Sequence, residues 1–133
     1  MIEEWWRVGW AGQVEIADDI YAADLVMKSP FGVMRGTQAV KDVLTGFLSG
    51  VESLEYEYRL FGGGNEFGLH YSLRGIHAAP LYGVEATGEQ VHFDGACIYR
   101  FDGHKIREFW QSVSSPSETG MTCLGSFAVQ SGL

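Results

Sequence analysis

Four side chains in the second half of the chain could carry out proton chemistry: His77, Glu108, Tyr71 and Tyr99. A carboxyl group in an apolar pocket has a raised pKa and can act as a general acid or base. Histidine titrates near neutral pH, and a phenol inside a pocket can orient a carbonyl oxygen. These residue types indicate acid–base chemistry if the fold brings them into one cavity. No spacing of His, Asp and Glu resembles a metal-binding pattern, so we expect no metal.

The stretch YRFDGHKIREFW, residues 99–110, decides whether Glu108 can take this role. Its Asp-Gly pair predicts a two-residue β-hairpin loop in which Phe101 pairs with His104. Because opposed residues point to the same face, the more apolar face collects Phe93, Gly95, Cys97, Tyr99, Ile106, Glu108, Trp110 and Ser112. Glu108 is then the only charged residue on the inward face of this hairpin. Alternatively, Glu108 lies near the open end of the sheet and is simply hydrated, and a one-residue slip of register would move it.

His77 is predicted to point inward near the end of a strand, because it shares the parity of Leu69, Tyr71 and Leu73. A lone histidine on an apolar face is more often a hydrogen-bonded core residue than a catalytic one. The catalytic interpretation gains weight if Glu108 or a tyrosine hydroxyl shares its cavity. The candidate substrate-binding residues, which we expect to line or shape that cavity, are Phe93, Trp110, Tyr56, Trp10 and Ser112.

The elements that must position these residues change character halfway along the chain. Apolar residues at helical spacing predict helices over 3–11, 14–23 and 37–50, with Thr37 as the N-cap of the third. A short strand over 25–27, ended by Ser29-Pro30, precedes the third helix. Alternating patterns then predict strands over 54–60, 66–77, 90–101 and 104–113. This order predicts an α+β domain over residues 1–114, with helices on one face of a curved antiparallel sheet. Residues 115–133 form a Ser/Gly-rich tail that is disordered or covers a pocket or an interface.

Composition limits the possible partners. The 133 residues carry a net charge of −8, which repels phosphate backbones and anionic membrane surfaces, so neither nucleic acid nor membrane is an expected partner. No apolar run approaches the roughly 20 residues needed to cross a bilayer. The first residues lack a signal-peptide pattern, so we expect a cytoplasmic protein. In that compartment the two cysteines, Cys97 and Cys123, are expected to be free thiols.

The order and spacing of several short segments resemble the SnoaL-like polyketide cyclases. The family motifs G-T-H, P-T-G, R-x-x-D-G-K-I and E-x-W are similar to Gly75-Ile76-His77, Ala86-Thr87-Gly88, the segment 100–106 and Glu108-Phe109-Trp110. In the first half, the matching segments are Trp10-Ala11-Gly12, Ser29-Pro30 and residues 36–40. The resemblance covers about residues 5–114 of the chain.

This resemblance implies an NTF2-like fold, a cone of three helices on a bent sheet around a deep pocket, and it suggests a homodimer. Family members catalyse cyclisations, isomerisations and other ring formations without cofactors, and some only bind ligands or partners. The related ketosteroid isomerases have acidic residues where this chain has Ser29 and Cys97, and an acidic residue is common where it has Ser114. Isomerase chemistry with that machinery is therefore not expected here.

Two hypotheses from different classes follow. The first is a cofactor-independent enzyme that cyclises or isomerises a mainly apolar small metabolite, such as a polyketide- or terpenoid-like intermediate. His77 and Glu108 would transfer protons, and Tyr71 or Tyr99 would orient an oxygen. The alternative is a non-catalytic NTF2-like module that binds a ligand or a protein. An open pocket of about 300 Å³ or more lined by His77 and Glu108 would favour the enzyme, and a filled cone would favour the module.

Overall fold

Helices cover the concave face of a six-stranded sheet in the computed structural model, which describes residues 1–29 and 32–131. A single α-helical turn, α1 (Ile2–Glu4), continues as a π-helical turn (Trp5–Gly9) and is followed by a 3₁₀ turn (Val14–Ile16), α2 (Ala17–Ile20), α3 (Thr37–Gly50) and α4 (Glu118–Ser131). The strands are β1 (Tyr21–Ser29), β2 (Gly32–Arg35), β3 (Val51–Gly63), β4 (Glu66–His77), β5 (Gln90–Phe101) and β6 (Ile106–Ser114). None of the described helices is long and apolar enough to cross a membrane.

The sheet has the strand order β2-β1-β6-β5-β4-β3 and is mixed. Strands β3 to β6 form the predicted antiparallel meander. Strand β1 pairs in parallel with β6, which joins the two halves of the chain. The predicted α+β cone is therefore confirmed, but the sheet is not purely antiparallel. An alternating pattern indicates which faces of a strand are buried, whereas it carries no information about the direction of the partner strand.

The third helix follows the prediction closely. Its apolar stripe, spaced at three and four residues, buries Val40, Leu44 and Phe47, and the helix ends at Gly50 as predicted. Thr37 is not the N-cap, because Gly36 occupies that position and no side chain caps the helix. The Thr37 hydroxyl instead donates a 2.9 Å hydrogen bond to the Asp18 carboxylate.

The second predicted helix, over 14–23, is shorter in the structure and ends at Ile20. Tyr21 has extended backbone angles and begins β1, where it lies fully buried opposite Ile106 of β6. Pairing with β6 thus outweighs the local helical spacing of the apolar residues. The strand also extends beyond the predicted 25–27, to Ser29, and Pro30 lies outside the described residues.

The hairpin between β5 and β6 does not have the predicted two-residue loop. Four residues form the connection, and the Asp102 carboxylate accepts 2.8 Å hydrogen bonds from the backbone N–H groups of His104 and Lys105. Phe101 pairs with Ile106, but Arg100 pairs with Glu108, so Arg107 is an extra residue in β6. A bulge of one residue turns every later side chain to the opposite face. The inward side chains after the bulge are therefore Phe109, Gln111 and Val113, not Glu108, Trp110 and Ser112.

Candidate functional site

A cavity of about 140 Å³ lies between the helices and the concave face of the sheet. Its walls are mainly aromatic, with rings from Trp5, Trp6, Trp10, Tyr21, Phe47, Tyr71, Tyr82, Phe93, Tyr99 and Phe109. Met27, Met34, Leu44 and Leu73 add aliphatic surface. Apolar and aromatic walls with a few polar groups are typical of small-molecule sites. The cone is therefore neither filled nor as open as the 300 Å³ expected of the enzyme hypothesis.

The polar groups that the described residues place around the cavity are all uncharged. They belong to Ser29, Cys97, Gln111 and the lining tyrosines and tryptophans. Of the described residues that line the cavity, none is a histidine, a carboxylate or a cation. The described part of the chain also holds no group of three metal-ligating side chains. The cavity therefore offers neutral hydrogen-bond donors and acceptors rather than a carboxylate base.

Tyr71 has the best-defined polar geometry in this cavity. The side-chain amide of Gln111 donates a 3.1 Å hydrogen bond to its hydroxyl oxygen. No acceptor in the described residues takes the proton of that hydroxyl, which leaves the proton free for a ligand. Burial raises the pKa of Tyr71 well above its ordinary value, so the phenol stays neutral and acts as a donor.

A glycine makes room for this tyrosine. Gly95 lies opposite Tyr71 on the neighbouring strand, and a Cβ atom at that position would lie only 2.2 Å from the Tyr71 hydroxyl. The small residue on β5 thus allows the tyrosine ring of β4 to lie across the sheet toward Gln111 on β6. Three adjacent strands therefore hold one hydroxyl in place.

Tyr99, Tyr21 and Cys97 form a second group of neutral donors in the cavity. Burial raises the pKa of both phenols well above the ordinary value. Burial likewise raises the pKa of the Cys97 thiol to about 12, so the thiolate is not formed near neutral pH. Tyr99 points inward, as the strand parity predicted, and its ring packs 5.2 Å from that of Phe109.

The predicted inward position of Glu108 is wrong. Glu108 lies on the outer face of the sheet, where its carboxylate contacts Lys28 Nζ at 2.9 Å and Arg100 Nη1 at 3.5 Å. The hydrogen bond from Lys28 lowers its pKa, with a further contribution from Arg100. A carboxylate held ionised by two surface cations has neither the position nor the raised pKa that the acid–base hypothesis required. The bulge at Arg107 accounts for the difference.

The same bulge moves two predicted substrate-binding residues out of the cavity. Trp110 lies on the outer face with Lys28 Nζ 5.0 Å and the Arg100 guanidinium 5.4 Å from its ring centroid, which are cation–π distances. Ser112 is exposed on that face, opposite Ala96.

Tyr56 does lie on the inner face, but outside the cavity wall. Its hydroxyl donates a 3.0 Å hydrogen bond to the Trp6 carbonyl oxygen, and its ring packs against the Trp6 indole. Tyr56 therefore packs against Trp6, which lines the cavity, without lining the cavity itself. Of the five predicted substrate-binding residues, Phe93 and Trp10 line the cavity.

His77 points inward and is fully buried, but it does not line the cavity. Its Nε2 lies 3.2 Å from the Val84 carbonyl oxygen, and its Nδ1 lies 3.1 Å from the Thr87 hydroxyl. Its backbone N–H and C=O bond to Glu89 and Gly88. Both ring nitrogens are thus engaged in fixing the 84–89 loop to the end of β4. Two of the sequence motifs, residues 75–77 and 86–88, are joined by these bonds.

The C-terminal helix contributes to the wall of the cavity through Leu124. Helix α4 begins after Ser117, whose hydroxyl accepts a 3.1 Å hydrogen bond from the Gly120 N–H. The preceding Ser115 hydroxyl donates to the His92 carbonyl oxygen of β5. The segment predicted to be a weakly patterned tail thus forms a helix, and the residues just before that helix are hydrogen-bonded to β5.

Gln111 is the residue that the sequence interpretation missed. The predicted register has no bulge and therefore puts it on the outer face, whereas the extra residue Arg107 turns it inward. Asp102 is a signal for the longer loop, since aspartate favours loops in which its carboxylate caps the next backbone N–H groups. That loop leaves the parity of β6 unchanged, so it gives no signal for Gln111.

Comparisons with known proteins agree with this fold. The family model described as a SnoaL-like domain matches residues 2–109. A search of curated proteins finds no match. Among solved structures, a proposed SnoaL-like polyketide cyclase from Jannaschia sp. CCS1 superposes with a TM-score of 0.76 at 14% identity, over 92% of this chain and 87% of that one.

Two proteins from Streptomyces are also similar in structure. IdmH of Streptomyces antibioticus, a proposed polyketide cyclase, has a TM-score of 0.73 at 19% identity, over 93% of this chain and 95% of that one. AclR of Streptomyces galilaeus, a proposed hydroxylase, has a TM-score of 0.69 at 20% identity, over 93% and 89%. At these identities the structural likeness concerns the fold, whereas the family model covers most of the sequence. The chain therefore belongs to the SnoaL-like domain family.

Proposed function

We propose that the protein binds a mainly apolar small molecule and promotes its cyclisation or isomerisation without a cofactor, with the Tyr71 hydroxyl polarising a carbonyl oxygen of the substrate. The observation that carries this proposal is the Gln111–Tyr71 hydrogen bond inside an uncharged aromatic cavity. Gln111 occupies the acceptor side of the phenol, so the phenol proton is directed to the substrate. Membership of the SnoaL-like family supports the reaction class.

The proposed chemistry relies on folding the substrate and on neutral hydrogen bonds. The aromatic walls hold a flexible chain in a bent conformation, which brings the reacting carbons together and lowers the entropic part of the barrier. In an aldol closure, an enol carbon of the substrate attacks its own carbonyl carbon, and negative charge develops on the carbonyl oxygen. Tyr71 stabilises that oxygen, which gains the proton that the enol oxygen loses. The product is an isomer of the substrate, so no co-reactant is needed.

A second candidate function is ligand binding without turnover. It is favoured by the absence of a histidine or carboxylate among the described lining residues, because such groups most often transfer protons in enzymes. The two functions share the cavity and differ in whether the bound molecule changes.

Incubation with linear aryl triketones separates the two functions. We expect chromatography with mass spectrometry to reveal a ring-closed product of equal mass, or of that mass less water, faster than in buffer. The Tyr71→Phe variant should slow this reaction by about 10²-fold, the usual cost of losing one oxyanion donor. Protection of the triketone from closure, with saturable quenching of tryptophan fluorescence, would establish binding alone.

We also propose that the protein forms a homodimer through the outer face of its sheet. One row of side chains crosses the six strands on this face and includes exposed apolar residues. Phe61 is 48%, Ile98 45% and Val33 47% exposed, and Trp110 lies between Ile98 and Val33 in the row. In the described part of the chain, the helices pack on the other face. An apolar patch on an uncovered sheet face is typical of a protein interface.

The charges of this outer face support a second copy as its partner. Five of the nine basic residues and six of the seventeen acidic residues lie there, namely Lys28, Arg35, Arg59, Arg74, Arg100, Glu52, Glu55, Glu57, Glu66, Asp94 and Glu108. The face is therefore almost neutral, and nearly all of the net charge of −8 lies elsewhere. Two copies can approach through this face without the repulsion that the rest of the surface imposes.

A further inference from the structure

We infer that the indole N–H groups of Trp6 and Trp10 form a second polar contact in the cavity and donate hydrogen bonds to a ligand oxygen on the helix side. This inference deepens the proposed function and rests on it, because it requires the cavity to bind a ligand. It adds a requirement on the ligand, namely a hydrogen-bond acceptor distinct from the carbonyl oxygen that contacts Tyr71.

The π-helical turn at the start of the chain brings the tryptophans together. The backbone N–H of Trp10 donates a 3.1 Å hydrogen bond to the backbone carbonyl oxygen of Trp5. This i→i+5 bond inserts one residue into the turn. Gly9 permits the wide turn to close, since a Cβ atom there would lie 2.5 Å from the Trp5 ring. As a result, Trp5, Trp6 and Trp10 all line the cavity. Such π-turns are frequent at functional sites.

The indole N–H groups of Trp6 and Trp10 are both buried and unpaired. The Nε1 atoms of Trp6 and Trp10 are buried, and no described residue or backbone group accepts a hydrogen bond from either. Trp6 as a whole is only 3% exposed. A buried N–H group without an acceptor is costly, and most proteins avoid it. Two such donors on neighbouring rings of one cavity call for an acceptor that the chain itself does not supply.

The arrangement of the rings favours a ligand over a rearrangement of the protein. The two indoles stack in parallel with centroids 4.7 Å apart, and Trp6 also packs against Tyr58 at 5.3 Å and Tyr71 at 5.5 Å. These contacts hold the Trp6 ring on several sides, so it cannot turn far to find another acceptor. Since Trp6 adjoins Tyr71, a ligand with two acceptor oxygens on a planar apolar skeleton can reach both donor groups.

The test uses acetophenone and ethylbenzene, two one-ring probes that differ only in a carbonyl oxygen in place of two hydrogens. A cavity of about 150 Å³ is known to admit benzene, which makes probes of this size suitable for one of about 140 Å³. Indole N–H resonances are followed by ¹H–¹⁵N NMR in the native protein and in the Tyr71→Phe variant, where the competing phenol is absent. We expect acetophenone, and not ethylbenzene, to move the Trp6 and Trp10 signals downfield.

Substitutions provide the second arm of the test. In the Tyr71→Phe background, where the single carbonyl oxygen of acetophenone is free for the indoles, Trp6→Phe and Trp10→Phe keep an aromatic ring and remove the unpaired donor. Each should reduce the preference for acetophenone over ethylbenzene by roughly 2- to 12-fold. Trp110→Phe is the control, because it also removes an indole but lies on the outer face of the sheet and does not line the cavity. That variant should keep the ratio of the two affinities.

Three results would separate this inference from the proposed function. Acetophenone that binds with unmoved Trp6 and Trp10 signals in both proteins overturns the indole contact. If Tyr71→Phe nevertheless weakens ketone binding, the proposed role of Tyr71 stands without the indoles. If neither probe binds, both proposals fail.

Discussion

Gln111 and Tyr71 meet across the inner face of the sheet, where the Gln111 amide nitrogen lies 3.1 Å from the Tyr71 hydroxyl oxygen. The contact joins β6 to β4 over Gly95 of the intervening strand. It fixes the direction of a hydroxyl in a cavity whose described walls carry no charge. The function proposed for the protein depends on this contact, and most of the following predictions concern its surroundings.

Gly95→Ala should disturb the Tyr71 hydroxyl, because the new methyl group would lie 2.2 Å from it. Overpacking of this kind costs about 1–3 kcal/mol in the free energy of unfolding. We expect a lower urea midpoint together with weaker binding of acetophenone. Gly63→Ala serves as the control, since no atom lies within 4 Å of the added methyl group. Equal behaviour of the two variants would argue against the close packing of Tyr71 over Gly95.

Glu108→Gln should leave ligand binding and turnover at the native level. The carboxylate lies on the outer face between Lys28 and Arg100 and does not line the cavity. Measurement of the triketone closure rate and of acetophenone affinity checks this expectation. A loss of turnover at unchanged affinity would instead restore the acid–base role that the sequence suggested.

Stability should fall steeply in alkaline solution. Burial raises the pKa of Tyr21, Tyr71, Tyr82 and Tyr99 well above the ordinary value, and that of Cys97 to about 12. Above the ordinary pKa, the unfolded chain loses these protons and the folded chain keeps them, so rising pH favours unfolding. Each group contributes a loss of about 1.4 kcal/mol per pH unit in that window.

Urea unfolding at several pH values between 8 and 11 tests this dependence. We expect a constant contribution from these groups up to about pH 9, and a midpoint that falls progressively above it. Tyr71→Phe removes one ionising group and should make the fall shallower. A midpoint that stays level to pH 11 would contradict the burial of the phenols.

Ile98→Glu should convert the proposed dimer into a monomer, because it places a charge in the exposed apolar row of the outer face. Sedimentation velocity measures the mass of each species. Met121→Glu is the control, since Met121 is 53% exposed on α4, away from that face. A monomeric native protein at the concentrations used for the variants would refute the proposed interface.

Much of the architecture could be predicted from local patterns. The regular spacing of apolar residues in α3 and the alternation in β4 and β5 identified these elements and their buried faces, including the inward positions of His77, Phe93 and Tyr99. These features depend on the period of one segment alone.

The site was harder to predict because it depends on relations between segments. One bulge residue, Arg107, exchanged Glu108 for Phe109 on the inner face and brought Gln111 into the cavity. The four-residue loop alone leaves Ile106 on the predicted inner face, and the Asp-Gly pair gives no signal for the bulge at Arg107. The π-turn likewise depends on the glycine-dependent packing of Trp5.

The most direct test of the central claim compares the affinities of acetophenone and ethylbenzene for the native protein and for Tyr71→Phe. If the Tyr71 hydroxyl donates to a ligand carbonyl, the variant should bind acetophenone about 10-fold more weakly and ethylbenzene with unchanged affinity. An equal change for both probes, or no change for either, would show that Tyr71 acts only as part of the wall.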